Sequence, residues 1–183
     1  MNHARSFIGV LSLLAFCVLA TGCTTTPPSP EAKENLMTLA DDGTKQMYTS
    51  DPSLKNFVDR AYGYAIFPRL GKGAFIVGGS YGRGMVYEQG QFVGYADLSQ
   101  ATIGLQAGGE SFRELIVFES RESLDRFKQG QLKFAANVSA VILKTGAGQT
   151  ARYTDGVAVF VEPIAGAMVE AAIGGQQFTY SPK

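Results

Sequence analysis

The stretch Gly73-Ala-Phe-Ile-Val-Gly-Gly-Ser-Tyr-Gly-Arg-Gly84 decides the fold class. Its larger apolar residues are β-branched or aromatic, as is typical of strands, and glycines lie both between and within the apolar runs. Glycine weakens a strand unless the backbone bulges, bends or approaches another backbone closely. The stretch therefore predicts a strongly curved sheet, because curvature requires such positions.

Short apolar runs of the same kind continue on both sides, at a spacing of about ten residues. They are separated by Gly, Pro, Ser or Asp, which is typical of consecutive strands in an antiparallel meander. The whole chain contains 22 glycines among 183 residues, well above the usual share of ~7%. We predict about eight to ten strands, starting near residues 64, 74, 84, 92, 103, 115, 138, 157, 167 and 177.

Three segments have helical periodicity instead. Ser29-Pro30 is a typical helix start, followed by apolar residues at spacings of three and four. Asp51-Pro52 repeats the start signal for a second helix, and 119–129, with Ser120 as its cap, predicts a third. We therefore predict an α+β domain over residues 31–183: a curved, barrel-like antiparallel sheet with two N-terminal helices and one inserted helix.

Residues 1–22 are typical of a lipoprotein signal peptide. The basic Arg5 precedes an apolar run from Phe7 to Ala20, which is too short to cross a bilayer as a helix. Ala20-Thr-Gly-Cys23 then resembles the bacterial lipobox, in which the cysteine becomes the acylated first residue of the mature protein. We expect Cys23 to be lipidated. The alternative is an ordinary secreted protein that is cleaved nearby.

Residues 23–30 are predicted to form the lipidated N-terminus and a Thr/Pro linker. Such a linker is stiff and extended, so we expect it to hold the domain off the membrane surface. An aspartate directly after a lipidated cysteine favours inner-membrane retention, and here that residue is Thr24. The expected location is therefore the bacterial cell envelope, lipid-anchored at the outer membrane.

Processing changes the composition that matters for function. Removal of residues 1–22 would leave 161 of the 183 residues, with 15 basic and 16 acidic side chains and no histidine. Ser-His-Asp and Cys-His nucleophile systems, histidine-ligated metals and a histidine general base are thereby excluded. We expect no catalytic residue, cofactor or metal. Cys23 would be the one remaining cysteine, so no intrachain disulfide can form.

A carboxylate or lysine mechanism survives that exclusion but has little support. Neighbouring acids occur at Asp41-Asp42, at Glu110 and Glu114, and at Glu119 and Glu122. Because catalytic carboxylate pairs come from separate strands, we interpret these acids as solvated or helix-terminal charges. The glycine-rich stretch fits neither the P-loop nor the dinucleotide fingerprint, since another strand-like run follows it.

Several segments resemble the SYLF domain in their order along the chain. They are Ala65–Pro68, Gly73–Gly84, Ile103–Ala107, Phe127–Gly130 leading to Ala136–Ala140, and Gly174–Tyr180. The resemblance implies a non-enzymatic lipid-binding module over residues 31–180. Fungal and animal members belong to endocytic actin regulators, bind phosphoinositide membranes through basic residues and an N-terminal amphipathic segment, and can bind actin. An exported bacterial lipoprotein meets no actin in its own cell, so actin is not an expected partner.

A basic stretch without acids could form the lipid-binding surface. It contains Arg60, Arg69, Lys72 and Arg83, interleaved with aromatic residues that favour a membrane interface. Near an anionic membrane each Lys or Arg is worth up to ~1 kcal/mol, which predicts weak, additive binding of anionic or phosphoinositide-like headgroups. The alternative is that the aromatics are core residues and the charges are ordinary solvated positions. Nucleic acid is excluded as a partner, because it requires more positive charge.

Two functions of different kinds remain. The first is a membrane-anchored lipoprotein whose domain binds lipids at the cell envelope. The second is an envelope module that recognises a protein partner, with incidental lipid contact. An enzyme that uses carboxylates or lysine is a third and weaker alternative.

Overall fold

The computed structural model describes residues 25–73, 77–103, 110–132, 140–165 and 175–183. Within these ranges the chain forms four helices and seven strands. The helices are α1 (Pro30–Ser50), α2 (Pro52–Asp59), α3 (Arg121–Lys128) and α4 (Ala147–Thr150). The strands are β1 (Gly63–Gly73), β2 (Val77–Glu88), β3 (Gln91–Ile103), β4 (Glu110–Phe118), β5 (Val141–Ile142), β6 (Val157–Ala165) and β7 (Gln176–Pro182).

The two N-terminal helices and the inserted helix are confirmed, and each begins at its predicted cap. Ser29 accepts a hydrogen bond from the amide of Ala32 at the start of α1. Asp51 caps α2, and Ser120 forms a capping box with Ser123 at the start of α3. The one-turn helix α4 was not predicted, because its sequence carries no start signal beyond Gly146.

Asp51 also joins α2 to α4. Its carboxylate accepts hydrogen bonds from the amides of Gly146 at 3.1 Å and Gly148 at 2.7 Å, in addition to the capping bond from the amide of Ser53. Burial raises the pKa of this carboxyl, but the hydrogen bonds, led by that from Gly148, outweigh it and hold the pKa below its ordinary value. A buried charge with this many donors fixes the two helices to one another.

The strands form one sheet in the order β5-β6-β4-β1-β2-β3-β7. All neighbouring pairs are antiparallel except β5 and β6, which are parallel. The described strands are fewer and longer than predicted: β2 joins the run near residue 84 to Val77 without a break. Glycines inside β2 do not end the strand, which is why the prediction of separate strands was wrong. The run predicted near residue 167 lies outside the described residues.

Two glycines of β2 lie directly against β1. A Cβ at Gly84 would be 2.5 Å from the carbonyl oxygen of Ile66, and one at Gly82 would be 2.5 Å from the carbonyl oxygen of Arg69. The register of β1 shifts at a bulge between Ile66 and Gly71. The predicted use of glycine for bulges and close backbone approach is therefore confirmed here.

Apolar side chains cover both faces of the sheet. Helices α1, α2 and α4 pack on one face, and α3 packs on the other, which we call the inner face. On the inner face, Phe67 of β1 and Phe178 of β7 have ring centroids 6.2 Å apart, although β2 and β3 lie between their strands. The sheet therefore curls around the inner face. The predicted curved sheet is confirmed, and it is not closed, since β5 and β7 are its edges among the described strands.

Candidate functional site

The sheet has two ends with different side chains. At one end β1 finishes at Gly73 and β2 starts at Val77, while β3 finishes at Ile103 and β4 starts at Glu110. We call this the hairpin end. The opposite end carries the turn between β2 and β3 and the connection from α2 to β1.

A row of polar residues crosses the sheet near the hairpin end. The register pairs Lys72 with Ser80, Ser80 with Gln100, and Gln100 with Gln176. Directly paired residues on neighbouring strands share one face of a sheet. Ser80, Gln100 and Gln176 are all buried. We call these four register positions the polar row.

Two of the four predicted basic residues, Arg69 and Lys72, lie on the second half of β1, toward the hairpin end, and Arg83 lies near the middle of β2. Arg69 is exposed and, within the described part of the chain, makes no ion pair. Lys72 belongs to the polar row and is also paired in register with Glu110. Arg83 forms an ion pair with Asp97, whose Oδ1 lies 2.9 Å from the arginine Nε. Arg83 is thus a paired and partly buried charge, and its assignment to a lipid-binding surface stays a prediction.

An exposed aromatic residue lies beside these basic residues. Tyr81, which is paired in register with Gly71, is 55% exposed. It also interacts with Arg83 and Asp97, and partial burial together with Asp97 raises the pKa of its hydroxyl. A tyrosine that presents its ring to solvent among arginines is suited to a membrane interface.

Arg60 lies apart from the other three. It is exposed at the C-terminal end of α2, three residues before β1 begins. Six residues of strand separate Gly63 from Arg69, which is about 20 Å at the usual rise. The structure therefore places Arg69 and Lys72 toward the hairpin end, Arg83 near the middle of its strand, and Arg60 at the opposite end.

An open cleft of about 500 Å³ lies at the Arg60 end, between α1, α2 and the sheet. Tyr48, Asp59 and Tyr64 line it, and Tyr64 stacks on Tyr87 with ring centroids 4.7 Å apart. Burial, helped by the charge of Asp59, raises the pKa of Tyr48 to about 12, and burial raises that of Tyr64 to about 12. Both hydroxyls therefore stay protonated at neutral pH. The lining provides a binding surface without an activated nucleophile.

A buried carboxyl on the inner face was missed by the sequence analysis. Glu114, interpreted there as a solvated charge, is fully buried, and Gln176 Nε2 donates a hydrogen bond of 2.9 Å to its Oε2. Burial raises the pKa of this carboxyl to about 8, and the bond from Gln176 opposes the shift only in part. The sequence does contain a signal for this burial. Glu114 alternates with the apolar residues Phe112 and Ile116, so its side chain points to the same face of the strand as theirs.

The N-terminal segment before α1 contacts the edge strand β7. The hydroxyls of Thr25 and Thr179 are 3.0 Å apart, and those of Thr26 and Ser181 are 2.7 Å apart. Thr25 is buried. The predicted linker is therefore docked on the domain from Thr25 onward, and it does not act as a free spacer there. Cys23 lies outside the described residues.

Among the described residues, no three His, Cys, Asp or Glu side chains are grouped so that they could hold a metal ion. No described helix combines the length and apolar character required to span a membrane.

Comparisons with known proteins give two matches. Residues 99–181 match the family model Ysc84, which is described as Las17-binding protein actin regulator. Beta cell expansion factor A of Aeromonas veronii is 27% identical over 150 residues, which are 81% of this chain and 57% of that protein. The chain thus spans less than two thirds of the length of this curated relative.

Proposed function

We propose that this chain, whose residues 99–181 belong to the Ysc84 (SYLF) family, is a non-enzymatic lipid-binding lipoprotein of the bacterial cell envelope. The observation that carries the proposal is the composition of the hairpin end. Arg69 and Tyr81 are exposed there, beside Lys72 and the Arg83–Asp97 pair. The family description names an actin regulator, but an exported protein meets no actin in its own cell, so lipid is the proposed partner.

The docked N-terminal segment supports an orientation for the anchored protein. Cys23 precedes Thr25 by two residues, and consecutive Cα atoms are about 3.8 Å apart, so the two Cα atoms lie within about 8 Å. Thr25 contacts Thr179, which follows Gln176 of the polar row by three residues. An acyl chain on Cys23 would therefore hold β7 and the hairpin end against the outer membrane.

The expected affinity of the hairpin end is modest. Each exposed Lys or Arg is worth up to ~1 kcal/mol at an anionic surface, and Arg83 contributes less because Asp97 offsets its charge. Anionic or phosphoinositide-like headgroups would therefore be bound weakly through the domain. Covalent acylation would supply most of the membrane affinity, since one chain together with a basic patch gives stable anchoring.

Vesicle flotation tests the proposal. The polypeptide from Thr24 to Lys183 keeps every described residue and lacks the acylated cysteine, so only the domain can bind. We expect it to float with phosphatidylcholine vesicles that contain phosphatidylglycerol, and to float less with phosphatidylcholine alone. The double variant Arg69→Ala, Tyr81→Ala, which removes the two exposed side chains, should bind anionic vesicles about tenfold more weakly.

Arg60→Ala is the matched control, because it removes one exposed arginine at the opposite end of the sheet. Its binding should equal that of the parent polypeptide. Equal flotation by the double variant, or an equal loss in Arg60→Ala, would contradict the assignment to the hairpin end. No flotation with any vesicle would contradict lipid binding itself.

A further inference from the structure

The inner face holds buried oxygen atoms that lack hydrogen-bond partners. Glu114 Oε1, Gln176 Oε1 and Ser80 Oγ are all buried without a partner in the described part of the chain. Glu114 and Gln176 belong to one hydrogen-bonded pair, joined from Nε2 to Oε2 at 2.9 Å. Each of the two unpaired oxygens of that pair, which we call orphaned, shares a carbon atom with one of the two bonded atoms. Leaving a buried acceptor unpaired costs about 1–3 kcal/mol. The proton of the neutral carboxyl is one donor, so it is the ionised carboxylate that needs a donor which the described residues do not supply.

The sheet's curl creates the pair. Glu114 lies on β4 and Gln176 on β7, and three strands separate them in the sheet. Gln176 is the first residue of β7, an edge strand, so it lies at the hairpin end, whereas Glu114 lies at the middle of β4 in register with Phe67. Ser80 belongs to the same polar row as Gln176. The site is thus buried, and Gln176 is the part of it that lies nearest the surface that the proposed function places against the membrane.

The chemistry of the site selects a small cation with hydrogen-bond donors. Glu114 is a single carboxylate, and Gln176 is its one polar contact among the described residues. One negative charge is balanced by a monovalent cation, whereas a calcium ion would need six to eight oxygen ligands and leave a buried excess of charge. A quaternary ammonium has no N–H donor for the orphaned oxygens. A primary ammonium has three donors and no acceptor.

We propose that the Glu114–Gln176 pair binds a primary ammonium group, which donates to Glu114 Oε1 and Gln176 Oε1, and that this is the amine of a phosphatidylethanolamine headgroup. The identity of the lipid rests on the proposed function, whereas the ammonium site does not. The Ser80 hydroxyl, further along the polar row, can donate to an oxygen of the same headgroup. When the ammonium binds, the carboxyl releases its proton to solvent and the two buried charges neutralise one another.

Lipid that copurifies with the full-length chain tests the proposal. The chain is expressed in a bacterium whose membrane contains both phosphatidylethanolamine and phosphatidylglycerol, and extracted in a neutral detergent. Retained lipids are then quantified by mass spectrometry. We expect phosphatidylethanolamine to be enriched over its share of the membrane, and about tenfold less of it to be retained by Glu114→Gln, which loses a charge-assisted hydrogen bond. Glu119→Gln, which changes an exposed acid, is the matched control and should behave as the parent chain.

A second measurement does not depend on the folding of a variant. The carbon-13 carboxyl resonance of Glu114 in the parent chain should shift on addition of ethanolamine and stay unchanged with choline, which carries no N–H. A shift with ethanolamine but no enrichment of phosphatidylethanolamine would identify a site for free amines and overturn the lipid assignment. No shift and no enrichment would mean that the pair holds only water or a proton, which overturns the inference. Lipid retained at the membrane's own ratio would leave the proposed lipid binding intact, whereas failure of flotation would remove that function separately.

Discussion

Glu114 is a carboxyl that the fold keeps uncharged at neutral pH when no cation is bound. It has no exposed surface, and Gln176 supplies its one hydrogen bond among the described residues. The alternation along β4 places it inward, but its partner is 62 residues away on a strand that reaches it only because the sheet curls. The alternation of apolar residues along β4 could therefore have predicted that Glu114 is buried. The pairing with Gln176 depends on curvature, which periodicity does not specify.

Stability should fall with rising pH because of this residue. The folded pKa of Glu114, about 8, lies above that of an unfolded glutamate, so its contribution is full below about pH 4 and is lost as pH rises through 8. The slope is up to ~1.4 kcal/mol per pH unit within that window. No charged side chain of the described residues contacts Glu114, so Glu114→Gln should remove this slope. Urea unfolding of both proteins between about pH 5 and pH 8 measures it; parallel curves would contradict the prediction.

Arg60 and Arg83 show that basic residues close in sequence need not form one charged surface. The four basic residues are close in sequence, but β1 carries the chain about 20 Å between Gly63 and Arg69. The pairing of β2 with β3 places Asp97 opposite Arg83. Strand length separates Arg60 from Arg69, and strand register pairs Arg83 with Asp97. The spacing of charges in the sequence predicts neither the strand length nor the register.

At the scale of elements, the contact between β1 and β2 depends on glycine. Gly84→Ala would place a methyl group 2.5 Å from the carbonyl oxygen of Ile66 and 2.7 Å from the ring of Phe67. Because backbone cannot give way as a flexible side chain can, we expect a loss of about 1–3 kcal/mol in the free energy of unfolding. Gly71→Ala on β1 is the control, since nothing lies within 4 Å of its added Cβ. Chemical unfolding should separate the two variants, and similar losses in both would contradict the close-approach argument.

The helices were easier to predict than the strands. Caps such as Ser29, Asp51 and Ser120 act locally, so the sequence signal and the structure agree. The sequence pattern predicts a break between residues 77 and 84, whereas β2 continues through them because its glycines admit the neighbouring backbone. Local signals predict where helices begin, whereas the continuity of a curved strand is decided by its neighbours.

At the scale of the whole molecule, three features lie between the middle of the sheet and its hairpin end. Arg69 and Tyr81 are exposed near the hairpin end, the buried Glu114–Gln176 pair reaches that end through Gln176, and Thr25 docks on Thr179 at the middle of β7. In the sequence, 62 positions separate Glu114 from Gln176, and 154 separate Thr25 from Thr179. If Cys23 is acylated, the short distance from Thr25 leaves the anchored domain little freedom to present its other end to the membrane.

The absence of tryptophan from the chain allows this orientation to be tested. The full-length chain carrying Tyr81→Trp, or Arg60→Trp at the opposite end, is isolated from a bacterium, and mass spectrometry should find acyl mass on Cys23. After reconstitution into vesicles, brominated phospholipids should strongly quench the fluorescence of the tryptophan at position 81 and leave that at position 60 almost unchanged. Both positions are exposed, so neither substitution disturbs the core. Equal quenching would contradict the orientation, and an unmodified thiol at Cys23 would contradict the anchor on which the orientation depends.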